Sequence, residues 1–211
     1  MRSTLTALLL TATLGVASPA PGTASLDLLA RATNPNPSLN SYTASAQLSA
    51  LLRAVIPIHK TFVGKVYYLR PNRKIEFSGV PSSLSKFRDL VSSTPTYEQA
   101  AQQYTITPMT DDGTYSSYTL VPKKSGARVK NIVVTVTDRT ALLSNAQWSY
   151  TNGGSLGWQQ SYLKVGTYRL PAKATISAHF PGYSVDGVVT FSNYQPNAAV
   201  SPSVFASPSS S

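Results

Sequence analysis

From residue 42 to residue 193, apolar and polar side chains alternate with a period of two, segment after segment. In the first segment Tyr42, Ala44, Ala46, Leu48 and Ala50 share one face, and Thr43, Ser45, Gln47 and Ser49 share the other. Such alternation predicts a strand with one dry and one wet face. The same reading predicts strands over 61–69 and 73–77, joined by the Arg70-Pro71-Asn72 turn. It predicts others over 104–108, 115–121, 129–137, 141–150, 156–168, 172–180 and 184–193. The punctuation between them is short and turn-prone: Asp112-Gly113, Lys123-Lys124-Ser125-Gly126, Asp138-Arg139-Thr140 and Asn152-Gly153-Gly154. Connections this short favour sequential antiparallel pairing, which curls a long meander into a barrel or half-barrel.

The alternation breaks in four places. Residues 1–24 read as a secretory leader, with Arg2 as its charge, an apolar stretch over 5–17, and small residues at Gly22-Thr23-Ala24 or Ser18-Pro19-Ala20 for cleavage. Ser25 then suits the cap of a short helix that turns Leu26, Leu29 and Ala30 to one side before Asn34-Pro35-Asn36-Pro37. Between the third and fourth strands Leu84, Phe87, Leu90 and Val91 recur at helical spacing, and Thr96 with Gln99 forms a capping box for a second helical piece. From residue 196 the Ser/Pro-rich sequence predicts a structureless tail. The expected organisation is a leader over 1–24, one domain over 25–195 and a tail over 196–211. Its fold class is mainly β (α+β): a curved antiparallel half-barrel with short helices covering the concave face.

Composition narrows the chemistry. There is no cysteine, so neither disulfides nor a lipidated cysteine anchor can be invoked, and the domain must be held by its own core. The net charge is +10, and loss of Arg2 with the leader makes it +9. An exported protein this basic is drawn to anionic surfaces such as membrane headgroups or envelope polymers. Nucleic acid is not expected, because there is no helical Arg/Lys register or RNA-binding aromatic signature. A monomer is expected.

Catalytic signals are weak. Gly153-Gly154-Ser155-Leu156-Gly157 only loosely resembles a nucleophile elbow. Ser155 lies between two strand patterns with no helix after it, and His179 precedes Asp186, the wrong order for that hydrolase arrangement. His59 and His179 are the only histidines, and without cysteine they offer no three-ligand metal set. Asp111-Asp112 suits a turn. No enzyme activity, cofactor or metal is expected.

The order of features resembles a known family. A short helix, a strand opening Ser41-Tyr42, a hairpin reading Gly64-Lys65-Val66-Tyr67-Tyr68 with Pro71-Asn72-Arg73, a helical insertion and a long meander resemble the periplasmic lipoprotein-carrier (Lol-type) superfamily and its related lipid-binding lipoproteins. Val134-Thr135-Val136-Thr137-Asp138-Arg139-Thr140 is similar to the family's strand ending in an Asp-x-Thr turn. Gly166-Thr167-Tyr168-Arg169-Leu170-Pro171 is similar to its lead into the penultimate strands. The resemblance implies an incomplete barrel whose hydrophobic hollow, closed by helices, holds acyl chains. The chain departs from the carriers by its Ser/Pro tail and from the anchored receptor by lacking cysteine.

The more apolar face nominates a lining: Tyr42, Ala44, Ala46 and Leu48; Phe62, Val66 and Tyr68; Trp148 and Tyr150; Ile176 and Phe180, with Phe87, Leu90 and Val91 as the lid side. The same positions equally suit a closed core. Lys60, Lys65, Arg70, Arg73 and Lys74 form a basic run around the first hairpin, joined by Lys123, Lys124, Arg128 and Lys130, that could meet anionic headgroups. The leading expectation is an exported carrier, periplasmic or at the cell surface, that shelters acyl chains of a lipid or acylated protein. The alternative is a non-catalytic envelope adaptor, with a filled core, that docks through its basic surface.

Overall fold

The structure, a computed structural model, describes residues 22–53, 57–79 and 95–206. The expected leader, apart from its last three residues, and the nominated lid residues Phe87, Leu90 and Val91 lie outside the described residues.

The described residues form ten strands: β1 (Ser41–Arg53), β2 (Ile58–Leu69), β3 (Asn72–Phe77), β4 (Tyr104–Asp111), β5 (Tyr115–Pro122), β6 (Val129–Thr137), β7 (Leu142–Tyr150), β8 (Ser155–Val165), β9 (Tyr168–Phe180) and β10 (Tyr183–Pro196). They form one antiparallel sheet in the order β3-β2-β1-β10-β9-β8-β7-β6-β5-β4. The meander from β4 to β10 is sequential, and β1 then pairs with β10, from Tyr42↔Pro196 to Arg53↔Ser184. This ladder ties the two ends of the domain together. Edge strands β3 and β4 have no ladder between them, so the sheet is a curved half-barrel rather than a closed barrel.

Burial follows the pleat. Across β3, β2, β1 and β10 the row Ile75–Val66–Ala44 and the row Phe77–Gly64–Ala46–Phe191 lie on one face, and their apolar members are mostly buried. The other face carries hydroxyls and amides, as in the row Thr135–Asn145–Gln159–Thr175. Polar convex positions stay hydrated while alternate apolar positions leave water, which is the arrangement that the period of two requires.

Among the described residues two helices lie over the concave face: α1 (Leu26–Thr33), against β6 and β7, and α2 (Tyr97–Gln103). The Thr96–Gln99 capping box of α2 is complete, each side chain bonding the other's backbone. Thr33 Oγ1 of α1 accepts from Tyr97 N at 3.2 Å, which joins the helices. The α1–β1 connection is fixed as well: Arg70 Nη2 donates to the carbonyls of Asn36 (2.8 Å) and Leu39 (2.6 Å). Asn36 in turn makes two side-chain bonds to the Arg169 backbone.

Three local expectations are corrected. Helix α1 buries Leu28, Leu29 and Ala32, while Leu26 is exposed, because the sheet beneath selects a stripe rotated from the one read off the sequence. The Ser25 side chain makes no capping bond; its carbonyl instead accepts from the hydroxyl of fully buried Tyr118 at 2.6 Å. The eighth strand stops at Val165, since Gly166 turns the chain at φ +58, and Tyr168 already belongs to β9.

The segment assigned to the tail is placed as far as Ala206. Asn197 N donates to Ser41 O, Ser41 Oγ donates to Ala198 O, and Ser201 caps a 3₁₀ turn at Pro202–Phe205. Within that turn the Val204 carbonyl accepts from Lys74 Nζ at 2.6 Å. Residues 207–211 lie outside the description.

Candidate functional site

A sheet curved around two short helices leaves space that its side chains do not fill. Beneath α1 and α2 lies an apolar hollow of about 290 Å³. Leu29, Tyr97 and Ala100 form its roof, and Leu120, Ile132, Val134, Ala146, Trp148, Trp158 and Phe191 line its floor and walls. The floor follows directly from register: Leu120↔Ile132, Val134↔Ala146 and Ala146↔Trp158 are cross-strand partners on one face.

A second hollow of about 370 Å³ opens at the Arg70–Pro71 end. It is more polar, lined by Asn34, Asn36, Tyr42, Tyr68, Arg70, Glu98, Tyr162 and Arg169 among others. The two hollows share Thr33, Arg73, Leu143, Trp158 and Gln160 as common wall.

Arg73 is the unusual member of that wall. Its register partner is Tyr68 and its guanidinium carbon lies 5.2 Å from the centroid of the Phe191 ring, a cation–π contact. Its Nε and Nη2 are buried and have no hydrogen-bond partner among the described residues. Glu98, at the rim of the second hollow, is exposed and makes no ion pair with it. The Glu98 carboxyl is held below its ordinary range by its own backbone N–H and by Thr96.

Around Arg73 stand tyrosines whose ionisation is opposed by burial. Burial pushes Tyr162 up to about 12, opposed in part by the positive charge of Arg73, and its hydroxyl donates to Leu143 O at 2.8 Å. Tyr194 is raised further by burial and donates to Pro171 O at 2.6 Å. Tyr42, also raised by burial, stacks on Tyr68 at 5.0 Å between centroids. This end of the site is aromatic and polar but carries little negative charge.

The nominated lining residues that are described lie on or at the end of the concave face. Tyr42 and Tyr68 reach the polar hollow and Trp148 the apolar one. Ala44, Ala46, Val66 and Ile176 belong to the packed cluster beside the hollows, with Leu48, Tyr150 and Phe180 against it. Phe62 is buried next to Leu48.

The basic run is divided by the pleat. Arg70 and Arg73 turn inward, and Lys74 turns outward to Glu76 at 2.8 Å. Lys65 is exposed on the convex face, and Lys60 is exposed near the start of β2. Lys123, Lys124 and Arg128 line a separate open depression near the β5–β6 turn. Sequence reasoning missed Trp158, Gln160 and Phe191, although their parity with Leu156 and Val189 was there to be read. What the sequence did not supply was the neighbour across each strand.

The remaining chemical candidates face solvent on the convex side. Ser155 and His179 are register partners, without a hydrogen bond between them, and Asp186 is paired with Arg53. Ser49 Oγ and His59 Nε2 are 3.0 Å apart and exposed. None of these lies in a hollow. Asp111 and Asp112 accept backbone N–H bonds from Gly113, Thr114 and Tyr115, which fixes their turn. Among the described residues, no three His, Asp or Glu side chains converge as a metal site would require, and no helix is long and apolar enough to cross a membrane.

No protein-family model matches the chain, and no curated protein matches it in sequence. Solved structures do match in fold. An outer membrane lipoprotein-sorting protein domain from Vibrio parahaemolyticus superposes with a TM-score of 0.61 at 11% identity, over 85% of this chain and 95% of its own. A DUF1329 family protein from Desulfovibrio piger gives 0.53 at 15% identity, over 85% and 95%. A LolA superfamily protein from Nitrosomonas europaea gives 0.51 at 9%, over 86% and 96%. The half-barrel and its order of elements are thus the Lol-type fold.

Proposed function

We propose that this chain, which has the Lol-type fold, is an exported, non-catalytic carrier that shelters acyl chain of a lipid or acylated protein between its concave sheet and its helices. The observation that carries the reading is the pair of adjoining hollows under α1 and α2, one walled by Leu, Ile, Val, Trp and Phe side chains. An apolar chain placed there leaves water, and each buried methylene contributes about 0.8 kcal/mol before ordering costs. Helices that cover a curved sheet without filling it provide the space, as a general feature of ligand-holding half-barrels. The sorting-protein and LolA-superfamily neighbours support the carrier class.

Transfer between membranes would use the same geometry. Among the described residues the two short roof helices are joined by the Thr33–Tyr97 bond, and parting them there would admit a chain. Export, through a cleaved leader over residues 1–24, belongs to the same proposal.

The test is purification without detergent, followed by native mass measurement and organic extraction. A stoichiometric acyl-containing mass is the expected result. An unchanged bare mass, before and after incubation with envelope lipids, would move the function to docking through the basic surface.

A further inference from the structure

The geometry points to a ligand with one unbranched chain ended by a carboxylate, seated with its headgroup on Arg73 and its chain in the apolar hollow. This inference rests on the carrier reading and narrows it from acyl lipids at large to single-chain acids.

Three observations carry it. Nε and Nη2 of Arg73 lie on the same edge of the guanidinium, the edge that forms a bidentate fork with a planar oxyanion, and both are buried without a partner among the described residues. A buried cationic edge left unpaired is costly, so a ligand that supplies two oxygens there gains both the bonds and the relief of that cost. Arg70 has a buried Nε without a partner as well, but its Nη2 is committed to the Asn36 and Leu39 carbonyls, so it cannot offer the same two-donor edge.

Placement is the second observation. Arg73 stands on the wall common to the polar and the apolar hollow, over the Phe191 ring, so an oxyanion bound to it has apolar space on one side and the tyrosine-rich, wetter end on the other. The third is size. At about 30 Å³ per water-sized group, the 290 Å³ hollow takes roughly ten carbons, the length of one medium chain. Among the described residues no carboxylate contacts the inward edge of Arg73, which matches an anionic headgroup.

The experiment uses the full chain and displacement of a polarity-sensitive fluorescent probe at neutral pH by decanoate, 1-decanol and decyl phosphate. Decanoate should bind at least about tenfold more tightly than 1-decanol. In Arg73→Met that gap should close while the alcohol's affinity is kept; Arg73→Lys should retain part of it. Along a series of acids, affinity should rise by about fourfold per methylene up to roughly ten carbons and then level off.

Equal binding of acid and alcohol by the unaltered protein overturns the proposal and leaves the carrier reading intact, with no variant needed. So does a preference for the acid that survives in Arg73→Met. Tighter binding of decyl phosphate replaces the carboxylate with a phosphate headgroup and overturns the assignment. If none of the three binds, the proposal is overturned, and the extraction and native-mass measurement decide the carrier reading separately.

Discussion

Ala146→Leu separates an open hollow from a filled core. Ala146 is buried on β7 between Val134 and Trp158, and its methyl faces the apolar hollow. Leucine adds three carbons, about 90 Å³ at roughly 30 Å³ each, or about a third of the 290 Å³ available. Three methylene positions are then denied to a ligand chain, which at about 0.8 kcal/mol each costs about 2.4 kcal/mol, close to fiftyfold in affinity. Filling empty space recovers about 24 cal/mol per Å³, so stability should rise by up to about 2 kcal/mol. Urea denaturation and probe displacement, run on the same preparations, read the two effects. The expected pair is a held or raised urea midpoint with strongly weakened binding. A loss of 1–3 kcal/mol of stability, the ordinary cost of overpacking, with ligand binding unaltered would refute the reasoning, because the space beside Ala146 would then already be closed.

Other perturbations test the frame around the hollow. Tyr118→Phe removes the bond to Ser25 O that ties the start of α1 to β5 and should lower stability by about 1 kcal/mol in urea denaturation. Gly64→Ala sets a methyl against the Glu76 carbonyl and the Phe77 ring, so β3 must shift; a loss of about 1–3 kcal/mol is expected in the same assay. Tyr162 has a folded value of about 12, above its ordinary 10.0, so the stability it contributes is complete below pH 10 and is lost as the pH rises toward 12. Thermal melts between pH 9 and 12 should therefore fall less steeply for Tyr162→Phe than for the unaltered protein. Identical slopes would mean that the phenol ionises as freely in the folded chain as in the unfolded one.

All ten strands could be read from the period of two, because each buries one face only and the convex face is polar. The pairing of β1 with β10 could not. It joins segments some 140 residues apart, and alternation fixes which side of a strand is dry without naming its neighbour. The Thr96–Gln99 capping box could be read because it is made within four residues. The face of α1 depends on the sheet below it, and Leu26 and Leu28 both fit a helical stripe until β6 and β7 choose between them.

The same limit governs the site. Register places Arg73 with Tyr68 on the concave side, whereas composition groups it with Lys74, which the pleat sends to solvent. Trp158 and Phe191 needed cross-strand register before they could be set beside Ala146 and Ala46. The Ser/Pro composition after residue 195 predicted no structure, but local bonds such as Ser41 to Ala198 and Lys74 to Val204 hold that segment as far as residue 206.

The chain has two tryptophans, Trp148 and Trp158, and both stand on the wall of the apolar hollow. A fatty acid brominated along its chain quenches an indole only at contact range, so titration of the intact protein with such an acid reports directly on occupancy of that space. Saturable quenching of most of the tryptophan emission, reversed by the unbrominated acid, is the result predicted here. Unquenched emission at concentrations where the brominated acid is demonstrably bound would put the ligand elsewhere and contradict the account.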